Sequence, residues 1–547
     1  MAGCDGVACR GTVTALWTCG EWAGFVLNGY RSGRQRPGRA WARVLALAGV
    51  ALVFSVVSLG VAWYVSAGTP PPRGKRDPLL VRAHLPAQAT SVLAGTPQAV
   101  SADAAQELFA SAPVVIIASA NDPAGLASAV KCSGAAHAPL LLTPPGAGTK
   151  AGGTAAMRPV IRALGPHTIL TAGMAGNAFT APLPRIHVVT DAARLPRTSV
   201  PAPLAHVVLL VHQGDSSAAT TAAVATAHAA GVRVITVHGY DPRTDPAAIA
   251  SLAAARPQRV LAIGAGFGPV SRLAYRLAVA ETGVQLPGGG QVLFPMRRLV
   301  ALYGHPGDPA LGALGQQDLR ASIARARKVA RPYRRLSRVP VIPAFEIIAT
   351  VAEAHPGPDG SYSYESPLSL LRPWVKRATA AGMYVVLDLQ AGRASLLAQA
   401  RRYESLLELP DVGLALDPEW KLGPKQLPLK QIGSISASEV NGVGRWLAGL
   451  TARHHLPEKL LVLHQFQLSM IAGEQRLDTR YPDLAIVIHM DGQGTPGDKQ
   501  KTWDAVSGTA PRGVFFGWKN FYTKDHPMLG PRQTMTRTPE PVMISYQ

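Results

Sequence analysis

Residues 412–420 read VGLALDPEW, an apolar run of five residues closed by Asp-Pro-Glu-Trp. A run this short and this apolar is the pattern of a parallel strand covered on both faces, and its polar end marks where such a strand meets a site. The same pattern recurs on either side in RLVALYGH (298–305), VPVIPAFEI (339–347), YVVLDLQ (384–390), LLVLHQFQ (460–467), LAIVIHMDGQG (484–494) and GVFFGWKNF (513–521). Helical patterns fill 316–330, 366–381, 393–408, 438–453 and, more briefly, 498–506. Six or seven β-α units predict a (β/α)-barrel over 297–547, complete or one unit short.

The strand ends of such a barrel converge on one mouth, where active sites are built. Here they would bring together Tyr303 and His305, Glu346, Asp388 and Gln390, Asp417 and Glu419, His464 and Gln465, His489 and Asp491, and Trp518 and Lys519. Several carboxylates beside His and Trp suit a sugar site, because glycoside hydrolysis needs one carboxyl protonated and another ionised. Glu419 and Asp388, at the ends of separate strands, are the preferred catalytic pair, with Glu346 or Asp491 as substitutes. Trp420 and Trp518 are expected to stack on sugar rings. Tyr303, His305, Gln390, His464, His489 and Lys519 are expected to bind substrate, and YGHPGDPALG (303–312) to form the first loop over the mouth. Milder readings exist for some of these: Asp417 before Pro418 shapes a turn, and Asp491 in MDGQG reads as an Asp-Gly turn. Glu439 follows Ser436 at the spacing of a helix cap. No H-x-H or H-E-x-x-H spacing points to a metal and no G-x-S-x-G to a serine nucleophile, so no metal or cofactor is expected.

Residues 88–294 are poorer in aromatics. VVIIA (114–118), PLLLT (139–143), TILTA (168–172), VVLLV (207–211), VRVITV (232–237) and RVLAIG (259–264) alternate with Ala-rich helical stretches. Val114 and Val207 stand 93 positions apart, as do Pro139 and Val232. A duplicated, Rossmann-like parallel α/β domain of two βαβαβ halves follows. IGAGFG (263–268) lacks the G-x-G-x-x-G order of a dinucleotide loop.

The first half opens on an "AG" containing Gly95, continues through an Ala-rich helix, an apolar strand and Asp122, and closes with APLLLTPP and LGPHTIL. Pro139–Pro144 and Leu164–Pro166 carry the closing elements. In this it resembles the cell wall-binding repeat type 2 family over about residues 91–175, and loosely to 294, with Asp215 at the matching position of the second half. The resemblance implies non-covalent attachment to an anionic wall polymer.

Upstream, VLALAGVALVFSVVSLGVAWYV (44–65) is 22 residues without charge or proline. As a helix it would span roughly 33 Å, enough for a bilayer core. Five arginines precede it and three basic residues follow, which favours a cytoplasmic basic tail (1–43), a single transmembrane helix and a Pro-rich linker (66–87) to an exported body. A cleaved signal peptide is the competing reading. Only Cys132 follows the span, so the body has no internal disulfide. Of the formal charge of +21, residues 1–80 hold nine Lys/Arg against three Asp/Glu, leaving +15 beyond them. That charge suits anionic envelope surfaces, and no basic run interleaved with aromatics suggests nucleic acid.

The expectation is a membrane-anchored cell-envelope protein whose barrel binds or hydrolyses a glycan. The alternatives are a non-catalytic surface scaffold with a degenerate barrel, and a small-molecule receptor using the duplicated domain.

Overall fold

The computed structural model describes residues 77–143, 157–177 and 185–547. The tail 1–43, the apolar stretch 44–65 and the linker through 76 lie outside these. Among the described residues no helix is long and apolar enough to cross a membrane.

In the N-terminal module, strands Thr90–Leu93 (β1), Val114–Ser119 (β2), Leu140–Thr143 (β3), Thr168–Thr171 (β4), His187–Val189 (β5), Val207–His212 (β6), Arg233–Val237 (β7) and Arg259–Ile263 (β8) form two four-stranded parallel sheets. Their orders are β3-β2-β4-β5 and β7-β6-β8-β1. The two halves thus repeat one order, and each takes its edge strand from the chain preceding the other half. The unbroken apolar runs follow from burial on both faces. Val115 and Ile117 of β2 share one core with Leu209 and Val211 of β6. Val114 and Ile116 face a second core, and Val208 and Leu210 a third.

Part of the expected linker is folded onto this module. Leu79 exchanges backbone hydrogen bonds with Arg197 and Ser199 (both 2.8 Å), Val81 is buried, and Arg82–Ala83 pairs with Phe109–Ser111.

The second region is a closed barrel of eight parallel strands. In barrel order these are Arg298–Gly304 (β9), Val341–Ala352 (β10), Tyr384–Leu389 (β11), Val412–Leu416 (β12), Lys459–Gln465 (β13), Leu484–Met490 (β14), Phe515–Asn520 (β15) and Met543–Tyr546 (β16). The last pairs back onto the first, Leu299 opposite Met543, so the barrel is complete. The eighth strand was not anticipated. It is four residues long and follows the turn-rich TRTPEPV. Helices Leu319–Ala330, Leu368–Ala380, Leu396–Arg402, Ala437–Arg453 and Pro496–Thr509 lie where the pattern placed them, while β13 and β14 are linked without an α-helix, by two short 3-10 turns and a two-residue strand, Ile471–Ala472, paired with Ile435–Ser436.

Period-2 alternation sorts the barrel side chains. Val300, Leu302, Phe345, Ile347, Val385, Leu387, Leu461 and Leu463 pack outward under the helices. Leu299, Ala301, Ile342, Ala344, Tyr384, Val386, Leu460 and Val462 fill the interior, joined by Leu293 and Phe294 from the segment entering the barrel. The apolar interior ends one layer short of the strands' C-terminal ends, and the next inward residue on each strand, or just past its end, is polar.

Candidate active site

That polar layer comprises Tyr303, Glu346, Asp388, Asp417, His464, His489, Lys519 and Ser545, one from each strand line of the barrel. All are buried. They surround and underlie a cavity of about 270 Å³ at the strand C-terminal ends. Tyr303, Gln390, Asp417, Glu419, Trp420, Asp491 and Lys519 line it directly. Seven of the sequence-nominated residues therefore meet at one place.

At its centre, Asp417, Glu419 and Asp491 each offer one oxygen, and the three oxygens lie within 4.8 Å of one another. Asp417 plays both roles proposed for it. Its Oδ1 accepts the Glu419 N–H at 3.1 Å, starting a one-turn helix at Pro418, and its side chain faces the cavity. Asp491 likewise belongs to the site and is more than a turn residue.

Four nominated residues form the floor and do not line the cavity. His464 is fully buried, with Nε2 at 3.0 Å from Glu346 Oε1 and Nδ1 at 3.2 Å from Asp491 Oδ2. Asp388 Oδ2 accepts the Tyr303 hydroxyl at 2.9 Å and its Oδ1 stands 3.9 Å from His464 Nε2. His489 shares a 2.6 Å hydrogen bond with Ser545 Oγ, and its ring meets His464 edge-on at 5.3 Å. The expected pairing of Glu419 with Asp388 is corrected accordingly. Asp388 is sealed beneath Tyr303, and the carboxyls that lie near Glu419 in the cavity are those of Asp491 and Asp417.

Two further expectations are corrected. Trp518 points away from the mouth, because Lys519 beside it points in. Its indole is fully buried against Trp503, Met490 and Leu529 and donates to Asn520 Oδ1 at 2.9 Å. His305 lies one residue past Gly304, whose φ of +146° turns the chain aside where a side chain would strike Gly312. It therefore lines an adjoining cavity and not this one. Gln465, on the outward face of β13, donates to Glu474. Phe466, Phe521, Lys524 and Gln547 also line the cavity and were missed, though each lies within a few residues of a strand end.

The electrostatics divide the carboxyls, because burial and neighbouring charges act on each in different proportion. Burial pushes Asp417 well above its ordinary value, reinforced by Asp388. Burial, then repulsion from Asp491, raises Glu419. Burial and Glu346 also lift Asp388 against the pull of His464. Asp491 goes the other way: burial opposes its charge, but the His464 hydrogen bond and charge, with Lys519, hold it below the usual range. Glu346 is lowered similarly, burial being outweighed by His464. Burial alone would neutralise His464, yet Glu346, Asp491 and Asp388 keep it protonated well above its ordinary range. Burial brings His489 down to about 3, so that ring is neutral. Lys519 Nζ lies 4.0 Å from Asp491 and 3.5 Å above the Tyr303 ring, a cation–π contact.

The site therefore sets one carboxyl held below its ordinary range, Asp491, beside two raised above theirs, Asp417 and Glu419, with the buried His464 ring beneath. The same three oxygens suit a hard divalent cation, which would favour the ionised form of all three.

In the module, Asp122 is a structural clamp. Its Oδ1 accepts the Gly125 N–H (2.9 Å) and its Oδ2 the Met174 N–H (2.8 Å), joining the loops after β2 and β4. Among the described residues, Asp215 makes only local bonds, to Ser217 and Thr220. Comparison with family models, curated proteins and solved structures finds no match to this chain.

Proposed function

We propose that the barrel is a glycoside hydrolase of the retaining type, with Asp491 as nucleophile and Glu419 as acid/base. The observation that carries this reading is that an oxygen of Glu419 and one of Asp491 lie within 4.8 Å of each other, in surroundings that push the two carboxyls in opposite directions from their ordinary values. Environments that drive two carboxyls apart are how acid and base roles are assigned. Retaining enzymes hold their carboxyls about 5–5.5 Å apart, whereas inverting ones need roughly 6.5–9.5 Å to admit a water. In the first step Asp491 attacks the anomeric carbon, the glycosidic C–O bond breaks, and Glu419 gives its proton to the departing oxygen. In the second, Glu419 takes a proton from water, the water oxygen bonds to the anomeric carbon, and Asp491 leaves. Trp420 supplies an aromatic wall. The compact carboxyl group favours this over a scaffold with a degenerate barrel.

We further propose that the protein works at the cell envelope, anchored by residues 44–65 with its N-terminal tail in the cytoplasm, and that the duplicated module holds wall polymer. The wall-binding repeat likeness of residues 91–175 and the basic charge support this.

Release of reducing ends from purified wall polysaccharide by the full chain tests the chemistry. Glu419→Gln and Asp491→Asn should each cut turnover by about 10³-fold or more with the fold retained. If both variants turn over like wild type, the assignment fails. Co-sedimentation with purified wall, weakening with salt, and protease access on intact cells test the envelope role.

A further inference from the structure

Beside the carboxylate cavity lies a second one of about 400 Å³, lined among others by His305, Asp308, Val351, Glu353 and Tyr364. Leu311 and Ala352 wall both cavities, so the two adjoin. The second has a built wall. β10 is 12 residues long and, near its end, pairs antiparallel with Ser363–Glu365, placing Val351 opposite Tyr364. Directly opposed residues share a face of the ladder. Val351 is buried there, while Tyr364 is 50% exposed.

This hairpin is pinned to the barrel. Ser363 Oγ donates to the Gln390 carbonyl at 2.7 Å, Gln399 Nε2 donates to Ser363 Oγ at 3.0 Å, and the Arg393 N–H donates to the Ser361 carbonyl at 2.7 Å. Gln390 itself lines the carboxylate cavity. His305 is held by Ser366 Oγ, 3.0 Å from Nε2. An exposed ring, apolar Leu311 and Val351, and a few polar groups make a surface for a sugar ring, which presents one apolar face and a rim of hydroxyls.

We propose that this second cavity is a subsite for an adjoining ring of the glycan cleaved next door, with Tyr364 as stacking platform. The inference rests on the hydrolase reading of the first cavity. Asp308 and Glu353 disfavour phosphate or carboxylate substituents on the ring bound here. The substrate is thus a chain of two or more sugars, uncharged at this subsite.

Neutral fragments of purified wall polysaccharide, fractionated into single sugars, pairs and tetramers, are titrated calorimetrically against the full chain carrying Glu419→Gln to prevent turnover. Affinity should rise about tenfold or more from single sugar to tetramer. Adding Tyr364→Ala should make the two bind alike, whereas Tyr364→Phe should keep the gain. Phosphate-bearing fragments of equal length should bind more weakly. Affinity flat with length, a gain untouched by Tyr364→Ala, or no binding by any neutral fragment overturns the subsite. If wild type releases no reducing ends but the Tyr364-dependent gain is present, hydrolysis fails and the subsite stands.

Discussion

His464 Nδ1 stands 3.2 Å from Asp491 Oδ2, and both groups are buried in the barrel. The contact joins a floor residue that no substrate reaches to the carboxylate that faces the cavity. Because Glu346 secures the other ring nitrogen at 3.0 Å, the imidazolium is fixed in place and its charge acts directly on Asp491.

His464→Gln should therefore act through Asp491 and not through substrate contact. Without the cation, the main influence opposing burial is lost and the Asp491 carboxyl rises from its lowered position. The nucleophile must be ionised, so the acid limb of kcat/KM should move to higher pH. The alkaline limb, set by the proton on Glu419, should move far less. A pH–rate profile reads both, with a loss of about 10²-fold expected at the low-pH end. A fall in rate with no displacement of the acid limb would show that His464 is merely structural.

Gly517 faces the barrel interior, where a methyl group would overlap His489 Nδ1. That ring is fully buried and bonded to Ser545, so it has nowhere to go. Gly517→Ala should destabilise the protein by about 1–3 kcal/mol, the range for overpacking a filled core. In a His489→Ala background the same change should be nearly harmless, since the two positions share one space. Chemical denaturation of the four proteins completes the cycle, and strict additivity would contradict it.

The barrel was legible because strands buried on both faces leave an unmistakable apolar run, and seven of the eight are marked this way. The eighth, MISY at 543–546, is too short to stand out. Site residues were legible as strand-end polar groups but not as a layer. Trp518 and Lys519 cannot both point inward under period-2 alternation, and only register shows that Lys519 does. Glu346 and Asp388 have the inward parity of cavity residues yet lie beneath it, because the stagger of barrel strands sets depth and leaves no trace in any one strand's sequence. The folded part of the linker, from Asp77, was hidden by its prolines. Its pairing partners lie at Phe109–Ser111 and Arg197–Ser199, too distant for local pattern to reveal.

Glu458 sits where the module meets the barrel, its carboxylate accepting the Leu293 N–H at 2.6 Å. Burial raises it from 4.5 to about 7. The folded state then binds a proton that the unfolded chain has released between these values, so this group's contribution to stability is complete below about 4.5. It is lost as pH rises through about 7. Glu458→Gln keeps an acceptor for Leu293 but cannot ionise. The wild-type Tm should fall relative to the variant between pH 5 and 8, and parallel curves across that range would refute the shift.

The Asp122 clamp gives a prediction for the module that is independent of the barrel. Its carboxylate occupies the space that side chains at Gly125 and Gly173 would need, and satisfies amides in two separate loops. Asp122→Ala leaves the Gly125 and Met174 amides without their acceptor, so both should lose protection from hydrogen exchange while the amides of β6–β8 keep theirs. Asp215→Ala, which breaks only bonds within its own turn, should leave the loop after β8 as protected as before. Equal effects in the two halves would mean that the repeats are functionally equivalent. The asymmetry expected here would place the tie between strand ends in the first half alone.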